Sequence, residues 1–374
     1  MKKTNKIEIL LYVMLVLTVA ISLLNVSIIQ GRAEKVDGAK EVAKEFLRPA
    51  KLEVTKILLA DCKECFDIEN ALESIKKQNV NITREKTLYL NEKEAKKLID
   101  KYDIEKIPTL IISGEINKTE QLKAFFENTG DFPDEKNTIF TGLKPPYYDV
   151  SSAKVIGKVS VINIVDSLCK ECTSLNQVAD ALKQSGVGIT EEKAYEYSSN
   201  KGIELINKFG IGRVPAMLIS NEIDRYDNIK EQVQQAAEEK QGFYVLDATS
   251  APYRNLSKGK VVGLVKIILL EDKSCKECYD VDINKQILPR FGVFVNEEAY
   301  ADISSAEGGE LIAKYNIEKV PALLLSPEAL EYPVFVRVWQ SVGSAEEDGW
   351  YVMRKPEGLG TYKDLTTNEI IKVQ

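Results

Sequence analysis

Runs of apolar, β-branched residues alternate along this chain with stretches of helical periodicity. The runs at 54–60, 159–165 and 261–270 have the composition of buried strands. Apolar residues three and four positions apart follow each run, as at Ile68 and Leu72, and they predict amphipathic helices. Strands that alternate with helices over short connections are typical of an α/β fold.

The same order of elements returns further along the chain. Helical stretches are predicted at 91–102 and 200–209, and each ends a few residues before a proline. Short apolar strands follow the prolines, at 109–113, 216–220 and 322–326. Polar amphipathic helices are predicted to close the first two copies, at 118–128 and 228–240.

The third copy is predicted to diverge after Ser326. It carries both tryptophans of the chain, Trp339 and Trp350, in a sequence rich in tyrosine and valine. This composition predicts additional strand in place of the closing helix.

Two motifs repeat in step and define three copies of one unit. The tetrapeptide Cys-Lys-Glu-Cys occurs three times, and the first cysteines stand 107 and 106 residues apart. In each copy a proline follows the first cysteine by 46 residues; these prolines are Pro108, Pro215 and Pro321. Matched spacings of this kind are the signature of tandem repeats. They predict domains at 46–145, 150–250 and 255–374, after a separate N-terminal segment at 1–35.

The N-terminal segment contains a run long enough to cross a bilayer. Residues 7–29 are 23 residues whose single charge is Glu8, at the start, and a helix of this length spans the roughly 30 Å hydrocarbon core. The run exceeds the apolar region of a signal peptide and lacks a small-residue cleavage site. We expect an uncleaved, single-pass membrane anchor, with the bulk of the chain on the extracytoplasmic side.

Charge and composition exclude several classes of function. The chain of 374 residues has a net charge of −7 and no basic patch, which argues against nucleic acid as a partner. Histidine is absent, so nucleophilic mechanisms and metal sites that use imidazole are excluded. All six cysteines lie in the repeated tetrapeptides. We expect no cofactor and no metal.

The strand, the cysteine pair and the later proline resemble the thioredoxin superfamily. The segment from Tyr102 to Ile112, with Ile107-Pro108-Thr109 inside it, is similar to the proline loop of that family. The resemblance implies an α/β fold of three tandem thioredoxin-like domains, each a central mixed sheet flanked by helices. It also implies thiol-disulfide oxidoreductase activity on protein thiols and disulfides, with Pro108, Pro215 and Pro321 as cis-prolines facing the cysteine pairs.

Three features depart from the family pattern. Asp61, Leu168 and Ser274 precede the first cysteines, where the family carries tryptophan. The dipeptide between the cysteines is Lys-Glu. The strands before the cysteines show no obvious counterpart of the buried acid that assists proton transfer in thioredoxin.

The cysteine pairs have the spacing that disulfide exchange requires. A cysteine at a helix N-terminus has its thiolate stabilised by unpaired N–H groups, and a cysteine one turn later can resolve a mixed disulfide. We therefore interpret Cys62, Cys169 and Cys275 as nucleophiles, with moderately lowered pKa values. Their resolving thiols are Cys65, Cys172 and Cys278.

The residues before the prolines are the candidates for substrate binding. Ile107, Val214 and Val320 are expected to offer backbone groups to an extended substrate strand, together with an apolar contact.

Other interpretations stay open. Cys-x-x-Cys pairs can bind zinc, although a closed site needs four ligands and no histidine is available. Each pair can be a permanent structural disulfide, although so short a loop stabilises little. The fold can also be a redox-inactive scaffold or chaperone that grips peptides. The prolines themselves can be ordinary trans turn residues.

Overall fold

The structure is a computed structural model that describes residues 13–14, 18, 22, 40–248 and 250–373. The predicted anchor at 7–29 therefore lies outside the described residues except at four positions. Within these described ranges, no helix has both the length and the apolar character that a membrane crossing requires.

Module 1 (residues 50–156) builds two sheets and three helices. Its elements are β1 (Ala50–Leu58), α1 (Ile68–Lys76), β2 (Val80–Tyr89), α2 (Lys93–Tyr102), β3 (Lys106–Ile107), β4 (Thr109–Gly114), α3 (Glu120–Glu127), β5 (Gly130–Asp134), β6 (Asn137–Phe140), β7 (Tyr147–Asp149) and β8 (Lys154–Ile156).

Module 2 (residues 157–262) repeats this order and adds a 3-10 helix at Asn221–Arg225. Its elements are β9 (Val159–Val165), α4 (Asn176–Gln184), β10 (Ile189–Glu196), α5 (Asn200–Phe209), β11 (Arg213–Val214), β12 (Ala216–Ser220), α6 (Lys230–Ala236), β13 (Glu238–Lys240), β14 (Phe243–Asp247), β15 (Tyr253–Asn255) and β16 (Lys260–Val262).

Module 3 (residues 263–371) follows the same plan, with 3-10 helices at Leu288–Phe291, Pro327–Glu331 and Pro356–Gly358. Its elements are β17 (Val265–Glu271), α7 (Asp282–Ile287), β18 (Val295–Asp302), α8 (Ala306–Tyr315), β19 (Lys319–Val320), β20 (Ala322–Leu325), α9 (Pro333–Trp339), β21 (Gly343–Ala345), β22 (Tyr351–Met353), β23 (Tyr362–Asp364) and β24 (Glu369–Ile371).

Each module has a five-stranded mixed sheet with the strand before the cysteines inside it. The order in module 1 is β2-β1-β4-β6-β5, and the corresponding strands of modules 2 and 3 have the same order. β1 pairs in parallel with β2 and antiparallel with β4, where Val54 lies opposite Ile112. The mixed sheet flanked by helices, in three copies, confirms the fold class expected from the sequence.

An apolar cluster covers each face of the sheet. In module 1, Leu52 and Val54 of β1 pack with Leu72 of α1 and Phe126 of α3 on one face. On the other face Ile57 packs with α2. The alternation of buried side chains along β1 places neighbouring residues on opposite faces, so both clusters draw on this single strand.

A second, three-stranded sheet closes each module. In module 1, β7 and β8 form a hairpin against β3, the short strand before the proline. The equivalent hairpins are β15–β16 and β23–β24. Each hairpin pairs with the short strand before the proline of the module that precedes it, so we include the hairpin in that module.

Two further expectations are wrong. The run at 261–270 is not one strand: it is interrupted at Gly263, whose φ is +82°, so β16 ends module 2 and β17 begins module 3. The third copy also has its closing helix, α9, in place of the additional strand expected there. Phe335 and Trp339 of α9 are buried. Trp339, which lies in the segment predicted to diverge, is therefore part of the core of the module.

The chain forms two compact units, Met1–Val155 and Ile156–Gln374, and the second contains modules 2 and 3. These two modules share a core: Ala251, Tyr253 and Val262 of the β15–β16 region pack with Val265 and Ile267 of module 3. The buried hydroxyl of Tyr332 donates to the carbonyl of Gly263 at 2.6 Å. Modules 2 and 3 are therefore one packed body.

Candidate active sites

The six cysteines form three disulfides at the ends of the central strands. The pairs Cys62–Cys65, Cys169–Cys172 and Cys275–Cys278 have S–S distances of 1.99, 2.03 and 2.11 Å. All six cysteines are partly exposed, and the Lys-Glu dipeptide of each pair is exposed. Each pair is therefore accessible to a molecule in solution.

The cysteines do not open a helix, contrary to the expectation. They lie in loops, and the following helices begin three or more residues after the second cysteine, at Ile68, Asn176 and Asp282. In module 1 the free N–H groups of the helix are capped by Asp67, whose carboxylate accepts from the N–H of Glu69. Because the helix-dipole effect is confined to the first turn, it does not supply the thiolate stabilisation that the sequence suggested.

The closing hairpin of each module is attached to the cysteine loop by a backbone hydrogen bond. The residue after the second cysteine donates its N–H to the residue before the hairpin strand. The bonds are Phe66 to Pro146 at 2.7 Å, Thr173 to Pro252 at 3.2 Å and Tyr279 to Thr361 at 2.8 Å. The hairpins therefore help to fix the position of the cysteines.

The peptide bonds before the three prolines are cis, and the strand before each proline pairs with the same hairpin to which the cysteine loop is bonded. This holds for Pro108, Pro215 and Pro321, and the bonds before Pro146 and Pro252 are also cis. In module 3 the hydroxyl of Tyr279, next to Cys278, donates to the carbonyl of Pro321 at 3.1 Å. Burial raises the pKa of Tyr279 to about 12, so this hydroxyl stays protonated and remains a donor.

The side chains of the residues before the prolines are buried. Ile107, Val214 and Val320 are fully buried, so their side chains offer no surface contact. Their strands already pair with the hairpins: Ile107 lies opposite Tyr148, Val214 opposite Arg254 and Val320 opposite Lys363. Each of these strands lies at the end of its three-stranded sheet, so the hairpin pairs with one of its two edges. Backbone pairing of a substrate strand at these residues stays a prediction.

Buried acids lie three residues before the cysteines in modules 2 and 3, and the sequence reasoning missed them. Asp166 accepts a hydrogen bond at 2.5 Å from Arg254, and Asp272 accepts one at 2.7 Å from Lys363. Their side chains are only 1% and 4% exposed. The signal was present, since an aspartate directly follows the apolar strand in both copies, but its cation is about 90 residues away.

These acids also shape the turn that leads to the cysteines. The N–H of Cys169 donates to the carbonyl of Asp166, and that of Cys275 to the carbonyl of Asp272. Burial opposes ionisation of Asp272, but hydrogen bonds from Lys363 and Ser274 outweigh it and lower its pKa. The carboxylate is therefore charged at neutral pH.

Module 1 has apolar residues in these two positions. Leu59 lies three residues before Cys62, and Tyr148 occupies the hairpin position of Arg254 and Lys363. Both belong to the apolar cluster around Ile57 and Ile107. The three sites thus share the Cys-Lys-Glu-Cys motif. A buried ion pair lies behind it in modules 2 and 3, and apolar side chains take that place in module 1.

A cleft of about 460 Å³ lies next to the proline loop of module 1. Thr109, which follows Pro108, lines it, and its hydroxyl donates to the carbonyl of Phe140 at 2.9 Å. Phe140 stacks against Phe66, the neighbour of Cys65. This chain of contacts connects the cleft to the first cysteine pair.

Metal ligands do not gather around the cysteines in the part of the chain that the structure describes. No cluster of three or more cysteine or acidic side chains with metal-binding geometry occurs among those residues. In each site the two sulfurs are bonded to one another.

Among known proteins, the chain is similar to several solved structures. No protein-family profile and no curated protein matches the chain. The alkylhydroperoxide reductase protein AhpF of Enterococcus faecalis is 19% identical over 48% of this chain and 88% of its own, with a TM-score of 0.15. A protein disulfide oxidoreductase from Aeropyrum pernix is 17% identical over 48% and 79%, with a TM-score of 0.14.

Human ERp44 covers more of the chain. It is 13% identical over 75% of this chain and 77% of its own, with a TM-score of 0.14. At TM-scores this low, the fold assignment rests on the strand order and the proline loops of the three modules themselves.

Proposed function

We propose that this chain, which consists of three thioredoxin-like modules, is a thiol-disulfide oxidoreductase that exchanges disulfides with protein substrates. One observation carries the proposal: three times, a partly exposed cysteine pair follows a buried strand, and its loop is bonded to the same hairpin that pairs with the strand before a cis-proline. A permanent structural disulfide needs no exposure and no such loop. Exchange needs a sulfur that a partner thiolate can reach.

The reaction of the reduced form has two steps. The thiolate of Cys62, Cys169 or Cys275 attacks one sulfur of a substrate disulfide, a mixed disulfide forms, and the other substrate sulfur leaves as a thiolate that takes a proton. The thiolate of Cys65, Cys172 or Cys278 then attacks the mixed disulfide. The module ends oxidised and the substrate reduced by two electrons; the reverse sequence oxidises a substrate dithiol.

In modules 2 and 3 the reacting loop is held at both ends. On one side, the turn before the first cysteine is fixed by hydrogen bonds to Asp166 or Asp272. On the other side, the residue after the second cysteine is bonded to the hairpin. A loop fixed in this way keeps the two sulfurs close in the dithiol form, which favours resolution of the mixed disulfide.

Variants of the full-length protein in detergent test the proposal. The reduced wild type should reduce the disulfides of insulin with turnover when dithiothreitol is supplied, and prior alkylation should abolish this activity. Serine at Cys62, Cys169 and Cys275 together should abolish it as well. Serine at Cys65, Cys172 and Cys278 should instead trap mixed disulfides, visible on non-reducing gels.

The opposite outcome points to the scaffold alternative. If alkylated and triple-serine proteins bind unfolded polypeptide as the wild type does, and the wild type shows no turnover, the cysteines are incidental to function.

We further propose that the apolar run at 7–29 anchors the modules on the extracytoplasmic face of a membrane. Protein disulfides, the substrates proposed here, form and persist in oxidising compartments such as the extracytoplasmic side of a membrane. A membrane-impermeant maleimide applied to intact reduced cells should label the cysteines. Labelling that appears only after the cells are broken would place the modules on the other side.

A further inference from the structure

Leu168 has the largest exposed fraction, 83%, among the large apolar side chains that the structure describes. It lies at the tip of the turn before Cys169. Its own N–H donates to the carboxylate of Asp166 at 3.2 Å, and the N–H of Cys169 donates to the carbonyl of Asp166. The backbone of Leu168 is thus held while its side chain points away from the module.

Leu168 has no part in holding module 2 together. It belongs to neither apolar cluster of that module as far as the described residues show. At the same position in module 3, the hydroxyl of Ser274 donates to Asp272 at 2.5 Å and completes the turn. A leucine cannot make this bond, and it leaves apolar surface in water.

The residue before the first cysteine is one of the positions at which the three sites differ. The four residues of each pair are identical, so they cannot distinguish one substrate from another. The preceding residue is exposed in every module and differs in kind: Asp61 is acidic, Leu168 apolar and Ser274 polar. This residue is the neighbour of the cysteine whose sulfur attacks the substrate disulfide.

We propose that Leu168 is a specificity-determining residue that directs module 2 to disulfides flanked by apolar side chains. When the sulfur of Cys169 joins a substrate sulfur, the residues beside the substrate cysteine come against Leu168. An apolar side chain there covers the leucine and removes its surface from water, whereas a charged side chain loses hydration. The proposal rests on the exchange activity proposed above, because it concerns the same site.

The test isolates module 2 within the full-length chain. Serine at all four cysteines of modules 1 and 3 leaves Cys169 and Cys172 as the only thiols. The reduced protein is mixed with two peptides, each with one intramolecular disulfide, which differ only in having phenylalanine or lysine beside the cysteines. Hydroxyethyl disulfide, which has no side chains, is the third probe. Rate constants for oxidation of the module are compared.

We expect the phenylalanine peptide to react faster than the lysine peptide, and Leu168→Ser to slow the phenylalanine peptide about fivefold. The same substitution should leave the rate with hydroxyethyl disulfide unchanged. The mirror variant, Ser274→Leu, in a chain whose only cysteines are those of module 3, should make that module prefer the phenylalanine peptide.

Other outcomes separate this inference from the function itself. If all three probes react but Leu168→Ser changes none of them, or slows all of them equally, Leu168 does not determine specificity. If no probe reacts with the wild-type module, the proposed oxidoreductase function is wrong, and so is the proposed specificity.

Discussion

The guanidinium group of Arg254 and the carboxylate of Asp166 form an ion pair behind the second cysteine pair, with Nε and Oδ2 2.5 Å apart. Asp166 directly follows β9, the central strand of module 2. Arg254 lies on β15 of the closing hairpin, which packs against the core of module 3. The same relationship in module 3 joins Lys363 to Asp272. These pairs connect the cysteine loop to the part of each module that is furthest from it in sequence.

We predict that Asp166→Asn lowers the free energy of unfolding of modules 2 and 3 by about 3 kcal/mol, because it leaves Arg254 without its buried partner. Urea unfolding of the oxidised protein measures the change. Module 1 provides the matched control: Asp166→Leu combined with Arg254→Tyr copies Leu59 and Tyr148. The double variant should recover most of the loss, since an apolar pair can replace a buried ion pair. A double variant as unstable as the single one would contradict this interpretation.

The Asp272–Lys363 pair predicts a pH dependence of stability. Hydrogen bonds hold the pKa of Asp272 below its ordinary 3.8, so its stabilising contribution is complete above that pH and is lost as the pH falls through the lower folded value. Below about pH 4, wild type should therefore lose stability faster than Asp272→Asn does. Thermal unfolding of both proteins between neutral and acid pH gives the difference curve; parallel curves would argue against the pair.

Gly263 lies where modules 2 and 3 meet. Its φ of +82° is left-handed, and a Cβ there would stand 2.3 Å from Cβ of Ala251. Gly259 is the control, because its φ of +65° is also left-handed but a Cβ there meets nothing within 4 Å. We expect Gly259→Ala to cost about 1 kcal/mol for the backbone alone. Gly263→Ala should cost at least about 2 kcal/mol more, because of the clash. Equal unfolding free energies for the two variants would show that the contact yields without strain.

Tyr279 fixes the proline loop of module 3 to the cysteine loop. Tyr279→Phe leaves the carbonyl of Pro321 without this donor, and we expect a loss of about 1 kcal/mol together with faster amide exchange in residues 317–323. Tyr300→Phe is a suitable control, since Tyr300 is also a hydrogen-bonded tyrosine in this module but is exposed. Unchanged exchange in the Tyr279 variant would mean that packing alone holds the loop.

The sequence predicted the fold class and the cysteine pairs because those features leave local patterns. Val159–Val165 is a strand in which apolar, β-branched residues predominate, and the spacing from Cys169 to Pro215 repeats in the other two copies. The outer strand β2 left no such pattern. It lies at the edge of the sheet, and most of its residues are partly or fully exposed, so its composition is that of a polar loop.

The contacts that the sequence did not predict join residues that are far apart in the chain. The hairpin strand β15 has three residues, too few for a periodic pattern, and it resembles a linker between repeats. Only its pairing with β11 makes Arg254 the partner of Asp166. The start of the helix after each cysteine pair was also misplaced, because the N-cap, Asp67 in module 1, comes two residues after the second cysteine.

The distance in sequence between Asp166 and Arg254 bears on how the protein is made. A nascent chain that has emerged only as far as β14 already contains Cys169 and Cys172, but the acid behind them still lacks its cation. The hairpin that carries Arg254 also packs into the core of module 3, so we expect the second site to be complete only once the third module has folded.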